Sequence, residues 1–336
     1  VTIVAEKYIP SIEFPTLPSA LPSRRTIESW KQNEVHYDPA MWGLQYAVVR
    51  YLEGVTDDAL KARYAEIVRN MRCYCVPTRD AIPIVSYDSS WYWHRKEYQT
   101  RLEFAYRKLP PPTPPNASDL FGFDSRIKRL TAPTGADILF RYGKKQHLLE
   151  LLTNGRLRFA PAGSYDGIEN NGARKDEELR KRYFKPGKHV KITTIDGRPI
   201  PVLGDVAYTV SSTPYHMACF SRDWDGQMFD DFEADACAVV LNPGEFFRRV
   251  ERSGRAVFPG QYFHYNPVSY FDPYDVGRNE YLDSGMSKDF RFAYQNEFRV
   301  LWDQMDASEV VGYRFVEIGD TRDLVRLVDR TGSRLV

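Results

Sequence analysis

Apolar residues recur at helical spacing through the first third of the chain and alternate in short runs through the remainder, so the pattern predicts helices first and a sheet after. Met41 to Leu52 carries Trp42, Leu44, Tyr46, Ala47 and Val48 on a helical repeat. Ala59 to Met71 follows the capping entry Thr56-Asp57-Asp58, and Glu97 to Lys108 reads as a further helix. Ser23 or Thr26 offers another cap. Ahead of them, the first 23 residues are rich in Pro and Ser and poor in periodic apolar positions, which reads as an extended arm. Behind them, Leu109-Pro110-Pro111-Pro112-Thr113-Pro114-Pro115-Asn116 excludes helix and central strand alike and makes a stiff linker over 109–116.

Past that linker, strands are expected near 138–142, 156–160, 190–194, 206–210, 215–221, 236–241, 292–302 and 313–318. Helices are expected at Gln146 to Leu152, ended by Asn154-Gly155, at Pro243 to Val250 behind Asn242, and at Thr321 to Val328. The expected fold class is α+β: a smaller, mainly helical accessory domain over 1–130, followed by a sheet-containing domain over 131–336.

Composition narrows the class without naming a function. At 336 residues, with 43% hydrophobic and 27% charged residues, the chain matches folded globular proteins rather than disordered ones. Its net charge of +1 announces no nucleic-acid partner. No apolar run approaches the roughly 20 residues that span a bilayer. The start Val1-Thr2-Ile3-Val4-Ala5-Glu6 lacks a signal-peptide pattern, so no membrane partner and a cytoplasmic location are expected. Cys73, Cys75, Cys219 and Cys237 make neither a disulfide framework nor a Cys-x-x-Cys pair. The histidines lack metal-ligand spacing, so no metal is expected.

Candidate chemistry concentrates near the C-terminus. Read as a strand, Phe292-Ala293-Tyr294-Gln295-Asn296-Glu297-Phe298-Arg299-Val300-Leu301-Trp302 places Gln295 and Glu297 on one face. Gln32-Asn33-Glu34 repeats the tripeptide in a polar stretch with no strand pattern. Upstream, Ile138-Leu139-Phe140-Arg141-Tyr142-Gly143, then Gln146 to Leu152, then Asn154-Gly155-Arg156-Leu157-Arg158-Phe159-Ala160-Pro161 reads strand, helix, strand.

In this order of motifs, residues 136–320 resemble the ADP-ribosyltransferases. Those enzymes open an NAD site with a strand ending in a basic residue and close it with a strand carrying the catalytic Glu. Asn296-Glu297-Phe298 resembles their Asn-Glu-Tyr variant and Gln295-x-Glu297 their Gln-x-Glu variant. The resemblance implies a split mixed sheet. It also implies Glu297 as catalytic carboxylate, Gln295 orienting the acceptor, and Ser221 supporting Glu297. For NAD, it implies contacts from Arg141, Tyr142, Gly143 and Phe220, and from Ser164, Tyr165, Asn171 and Arg174 in the polar loop that starts at Gly163. NAD would be a substrate and no metal would be needed. Arg141-Tyr142-Gly143 stands where polymer-forming members have His-Gly, which favours single-unit transfer.

The chain is also similar to bacterial proteins with an aromatic-Ser strand, an acidic Trp-containing loop, an Ala-Cys-apolar strand and a final Glu-aromatic-Arg strand. Tyr215 to Ser221, Trp224, Ala236 to Leu241 and Glu297-Phe298-Arg299 follow that order. Some characterised relatives of that kind are toxins in phage defence or toxin–antitoxin loci. The expected acceptor is a macromolecule, nucleic acid ahead of protein, which the 1–130 domain selects, and an antitoxin or immunity partner is expected with it.

Each residue also has a plainer reading. Glu297 can pair with an Arg, Gln295 can face solvent, Arg141 can be an ordinary strand-end charge, and Ser221 an ordinary strand-end Ser. The run Trp91 to Lys108 interleaves aromatic and basic residues that suit base stacking, or simply builds the helical core. Asp223, Asp225, Asp230, Asp231, Glu233 and Asp235 suggest a Mg²⁺ nuclease but follow no metal-loop spacing. A non-enzymatic binding module on a degenerate transferase fold and an NAD glycohydrolase are the competing functions.

Overall fold

The computed structural model describes residues 39–73, 75–76, 84–85, 87–110, 112, 138–165, 178–274, 285–304 and 310–336. At the described positions within 71–92, and at 165, 189 and 227, it describes the backbone alone. The expected N-terminal arm, most of the Pro-rich linker, Glu34, Asn171 and Arg174 lie outside the described residues. The chain forms two compact units: Val1–Gly122 with Tyr183–Tyr208 and Asp272–Asn279, and Phe123–Arg182 with Thr209–Phe271 and Glu280–Val336. The first unit thus takes two segments from beyond the expected boundary at 130.

The first unit holds α1 (Pro39–Val49), α2 (Asp57–Cys73), the two-stranded ribbon β1 (Cys75–Val76) and β2 (Ile84–Val85), and α3 (Tyr87–Tyr106). Thr56 caps α2, its Oγ1 accepting from Ala59 N at 3.3 Å, with Asp57 and Asp58 complementing the positive helix end. Tyr46, Leu52, Leu60, Tyr64, Leu102 and Phe104 form its core. Three buried carboxylates bind the helices together. Glu103 accepts from Tyr46 Oη, from Arg50 Nε at 3.0 Å and from Arg107 Nε at 2.7 Å. Glu97 takes Arg101 Nε of its own helix at 2.6 Å and a hydrogen bond from the Tyr64 side chain of α2. Asp272 takes both Arg63 guanidinium nitrogens, at 2.9 and 2.7 Å, and Lys96 Nζ at 2.8 Å. Much of the aromatic-basic run therefore points inward: Trp93, Phe104 and Lys96 are buried, and Arg101 and Arg107 sit on carboxylates.

The second unit opens as the sequence suggests, with β3 (Leu139–Gly143), α4 (Lys145–Asn154) and β4 (Arg156–Pro161). Gly155 ends α4 at φ 63°, and a Cβ there would stand 2.2 Å from Gly319 O, so only glycine fits. A 3₁₀ turn over Ala162–Tyr165 follows, then β5 (Arg180–Lys185), whose last three residues pass into the first unit; that unit also holds the short strands β6 (Ile192–Thr193) and β7 (Pro199–Ile200), and β8 (Val206–Ser211) returns the chain to the second. Next come β9 (Tyr215–Ser221), α5 (Gln227–Asp231), β10 (Ala236–Val240) and α6 (Pro243–Val257), the last capped by Asn242 with Pro243 in its first turn. The chain closes with β11 (Tyr262–Pro267), β12 (Ser269–Phe271), β13 (Ser287–Asp289), β14 (Glu297–Asp303), β15 (Arg314–Glu317) and β16 (Val325–Val328). No described helix is long and apolar enough to cross a membrane.

The α+β class holds, and three details differ from expectation. The expected mixed sheet is antiparallel along its whole path β11-β14-β9-β3-β10-β16, and the parallel pair β12–β13 lies outside it. The expected helix at 321–328 is a turn followed by β16. Val325, Leu327 and Val328 are buried there, and β16 pairs with β10, where β-branched side chains fit better than in a solvated helix. The expected strand over 292–302 begins only at Glu297. Phe290–Gln295 is a 3₁₀ helix, capped by Asp289 and ended by Asn296 at φ 38°.

The sheet is split. Both β3 and β4 lie along one edge of β9: β4 pairs at Ala160↔Met217 and Pro161↔His216, β3 only at Phe140↔Ser221. β4 carries β15 on its far side. One sheet face is covered by apolar residues of α4 and α6, including Leu148, Leu151, Phe246 and Val250, packed on Ala218, Phe220, Val300 and Trp302. Glu297 begins β14 on the other face, opposite Ser221.

Candidate functional site

Glu297 is 4% exposed and sits in a buried charge cluster. Its Oε1 accepts from Arg299 Nε at 2.6 Å and its Oε2 from Lys288 Nζ at 2.8 Å. Arg299 Nη2 donates to Glu178 Oε1 at 2.7 Å and Nη1 to Gly285 O at 2.8 Å. Glu178 is shared with Lys181 at 3.3 Å and Lys288 at 3.8 Å. Alternation along β14 puts Glu297 and Arg299 on one face, and the backbone of Glu297 is fixed by Tyr270, whose hydroxyl accepts its N–H at 2.8 Å.

Burial alone would push the Glu297 carboxyl up. The adjacent Arg299 and Lys288 charges, with their hydrogen bonds, outweigh it and hold the carboxyl well below the usual range. The same exchange works in reverse for Arg299, where burial is overcome by Glu178 and Glu297 and the guanidinium is held firmly charged. Cys219, across from Arg299, has its thiol pushed up by burial and then by Glu297, so it is no nucleophile at neutral pH.

Gln295 and Glu297 do come together, for a different reason from strand alternation. Gln295 lies in the 3₁₀ helix, and Lys288 joins the two by donating to Gln295 Oε1 at 3.0 Å as well as to Glu297. Gln295 is 3% exposed and donates in turn to Tyr294 Oη at 3.3 Å. Ser221 is the third member. It pairs with Glu297 across the β9–β14 ladder, and its Oγ lies 2.7 Å from Gln295 O and 2.9 Å from Asp223 O while accepting from Asp223 N at 3.1 Å. It thereby pins the turn that delivers Gln295 and Asn296 to the strand.

The expected NAD contacts are dispersed. The pairings Phe140↔Ser221 and Ser221↔Glu297 put Phe140 on the Glu297 face, so Arg141 turns to the opposite face. There its guanidinium lies over the Phe220 ring at 5.3 Å, and Nη1 donates to Cys219 O at 2.9 Å, at the gap between β3 and β4. Phe220 packs into the apolar core. Tyr142 belongs to an aromatic cluster with Trp224, Phe229 and Phe232, and its hydroxyl accepts from Asp225 N at 2.9 Å. Gly143 O accepts from Asp235 N at 3.3 Å. Ser164 is exposed, with Oγ donating to Pro161 O at 2.7 Å. The side chain of Tyr165 lies outside the description, as do Asn171 and Arg174.

The acidic run is divided among separate partners. Asp223 accepts from Asn296 Nδ2 at 2.7 Å, Asp230 pairs with Arg330, and Asp235 accepts from Lys145 N. Among the described residues no His, Cys, Asp and Glu side chains gather into a group that could hold a metal ion.

Arg299, Lys288 and Glu178 were not among the expected site residues. Arg299 could have been found, since it stands two positions from Glu297 in the same alternating run. Lys288 and Glu178 come from β13 and from just before β5, and no local pattern marks either. Compared with known protein families, curated proteins and solved structures, the chain matches none.

Proposed function

We propose that the second unit is an NAD-dependent mono-ADP-ribosyltransferase acting on a macromolecule, in the manner of a toxin or phage-defence effector, with Glu297 as its catalytic carboxylate. The observation that carries this reading is the Ser221–Glu297 pair, fastened to Gln295 beside a sheet that opens between β3 and β4. On this reading the nicotinamide–ribose bond breaks, and its electron pair leaves on the nicotinamide nitrogen, which becomes neutral. Positive charge develops at ribose C1′. The Glu297 carboxylate, ionised at neutral pH, accepts a 2′-hydroxyl hydrogen bond that strengthens as that charge grows. The acceptor nucleophile then bonds to C1′ and loses its proton. NAD uptake requires Glu297 to share an oxygen now held by Lys288 or Arg299. It also requires Arg141 to exchange the Cys219 carbonyl for a phosphate or ribose hydroxyl.

A second reading rests on the same carboxylate. Both Glu297 oxygens are engaged by cations in a buried cluster, the arrangement of a structural lock in a non-enzymatic binding module. Incubating the full chain with NAD labelled in its ADP-ribose part, together with cellular RNA, DNA and protein, separates the two. Label entering one macromolecular fraction, with release of nicotinamide, supports the transferase. Nicotinamide release without label transfer makes the protein a glycohydrolase, and neither product leaves the binding module.

A further inference from the structure

The solvent face of the β4–β15 pair carries an aromatic-basic patch that the NAD reading does not use. Leu157, Phe159 and Val316 point into the core, and alternation turns Arg156, Arg158, Phe315 and the adjoining Tyr313 outward. Tyr313 is 53% exposed and Phe315 40% exposed, unusual for such rings. Each ring is matched with a guanidinium: Arg156 Cζ lies 4.2 Å from the Phe315 centroid and Arg158 Cζ 4.7 Å from that of Tyr313. Arg156 also faces Glu150 at 3.1 Å and Glu317 at 3.9 Å, so its charge is largely answered. Arg158 is exposed, and among the described residues no carboxylate pairs with it.

We propose that this face binds single-stranded nucleic acid. Two planar rings and two guanidinium planes offer stacking surfaces that accept any base, and the charge of Arg158 suits a phosphate. Spacing selects single strands over duplex. Tyr313 and Phe315 are two positions apart on an extended backbone, roughly 6.6 Å, about twice the 3.4 Å step between stacked bases in a duplex strand. Bases seated on neighbouring rings are therefore spread apart. The inference concerns binding alone and stands independently of any NAD chemistry.

Fluorescence anisotropy with end-labelled oligo(dT) and oligo(U) of about 12 nucleotides tests it on the full chain. Binding is expected to both, weakening as salt rises from about 50 to 200 mM, with a duplex of equal length bound at least about tenfold more weakly. Preference for one oligomer identifies RNA or DNA as the natural source. Tyr313→Ala with Phe315→Ala should weaken binding by about tenfold or more, while Tyr313→Phe with Phe315→Tyr, which keeps both rings, should preserve it. Arg158→Gln should flatten the salt dependence. Both rings are exposed, so their replacement should leave the fold intact, and an unchanged thermal transition checks this. No binding, equal binding of duplex, or full affinity in the double alanine variant overturns the proposal and leaves the patch to a protein partner.

Discussion

Arg299 and Glu297 stand two residues apart on one face of β14, both buried, joined through Nε and Oε1 at 2.6 Å. Removing such charges from water costs more than one pair returns, so each needs further partners. Arg299 has Glu178 and the Gly285 carbonyl, and Glu297 has Lys288. The cluster holds β13, β14, Glu178 and the Gln295 turn to a single arrangement, whatever chemistry it also serves.

Neutralising one member should therefore unfold more than it repairs. Glu297→Gln leaves Lys288 and Arg299 buried against a neutral amide, and a loss of about 3–5 kcal/mol is expected in urea unfolding. Adding Lys288→Met to that variant should recover part of the loss. If the single substitution is neutral, the cluster is open to water.

On the proposed transferase reading, turnover gives a separate readout. At a temperature where Glu297→Gln stays folded, transfer of ADP-ribose should fall by about 100-fold or more, near 2.7 kcal/mol in the barrier. Glu34→Gln, in the same tripeptide elsewhere in the chain, should match the wild type. Equal transfer by folded Glu297→Gln removes Glu297 from the mechanism.

Acid should close the stability gap between these proteins. The folded-state carboxyl of Glu297 is depressed, so its contribution is complete above its ordinary value of about 4.5 and is lost as pH falls toward the folded value. The difference in unfolding free energy between wild type and Glu297→Gln should hold from neutral pH down to that point, then shrink. A gap that instead narrows on raising the pH contradicts the depressed carboxyl.

Much of this framework was legible because local pattern and tertiary position agree. Gly155 ending α4, Asn242 opening α6, and the apolar strands β9 and β10 follow from side-chain chemistry within a few residues. The region before Glu297 misled because Phe292, Ala293 and Tyr294 are all buried, which a strand and a 3₁₀ helix packed into a core share. At 321–328 the apolar spacing suited a helix, and pairing with β10 decided for strand. The cluster itself is a long-range object: Glu178 meets Arg299 across a sequence separation of 121.

Packing behind the sheet gives a prediction free of charge effects. A Cβ on Gly254 would stand 2.2 Å from Trp302 Cζ2, and Trp302 is fully buried, stacked on Phe258 at 4.9 Å. Gly254→Ala should destabilise by about 1–3 kcal/mol through overpacking. Trp302→Phe in that background should relieve the clash, so the two substitutions should be less than additive in urea unfolding.

The buried ion cluster around Asp272 limits where the chain can be cut. Asp272 is buried with Arg63 and Lys96, and burial would push its carboxyl up, but those two cations hold it well below the usual range. Cutting between residues 130 and 131 parts Asp272 and the Tyr183–Tyr208 segment from the helices of the first unit, and so parts Asp272 from Arg63 and Lys96. The 131–336 piece would then expose a carboxylate and apolar surface that the whole chain covers. It should be insoluble, or soluble only when co-expressed with 1–130, and Asp272→Asn should destabilise the full chain by about 3–5 kcal/mol. A soluble, cooperatively unfolding 131–336 piece would show that the second unit folds without those contacts, and it would then be the right body in which to look for NAD cleavage without target selection.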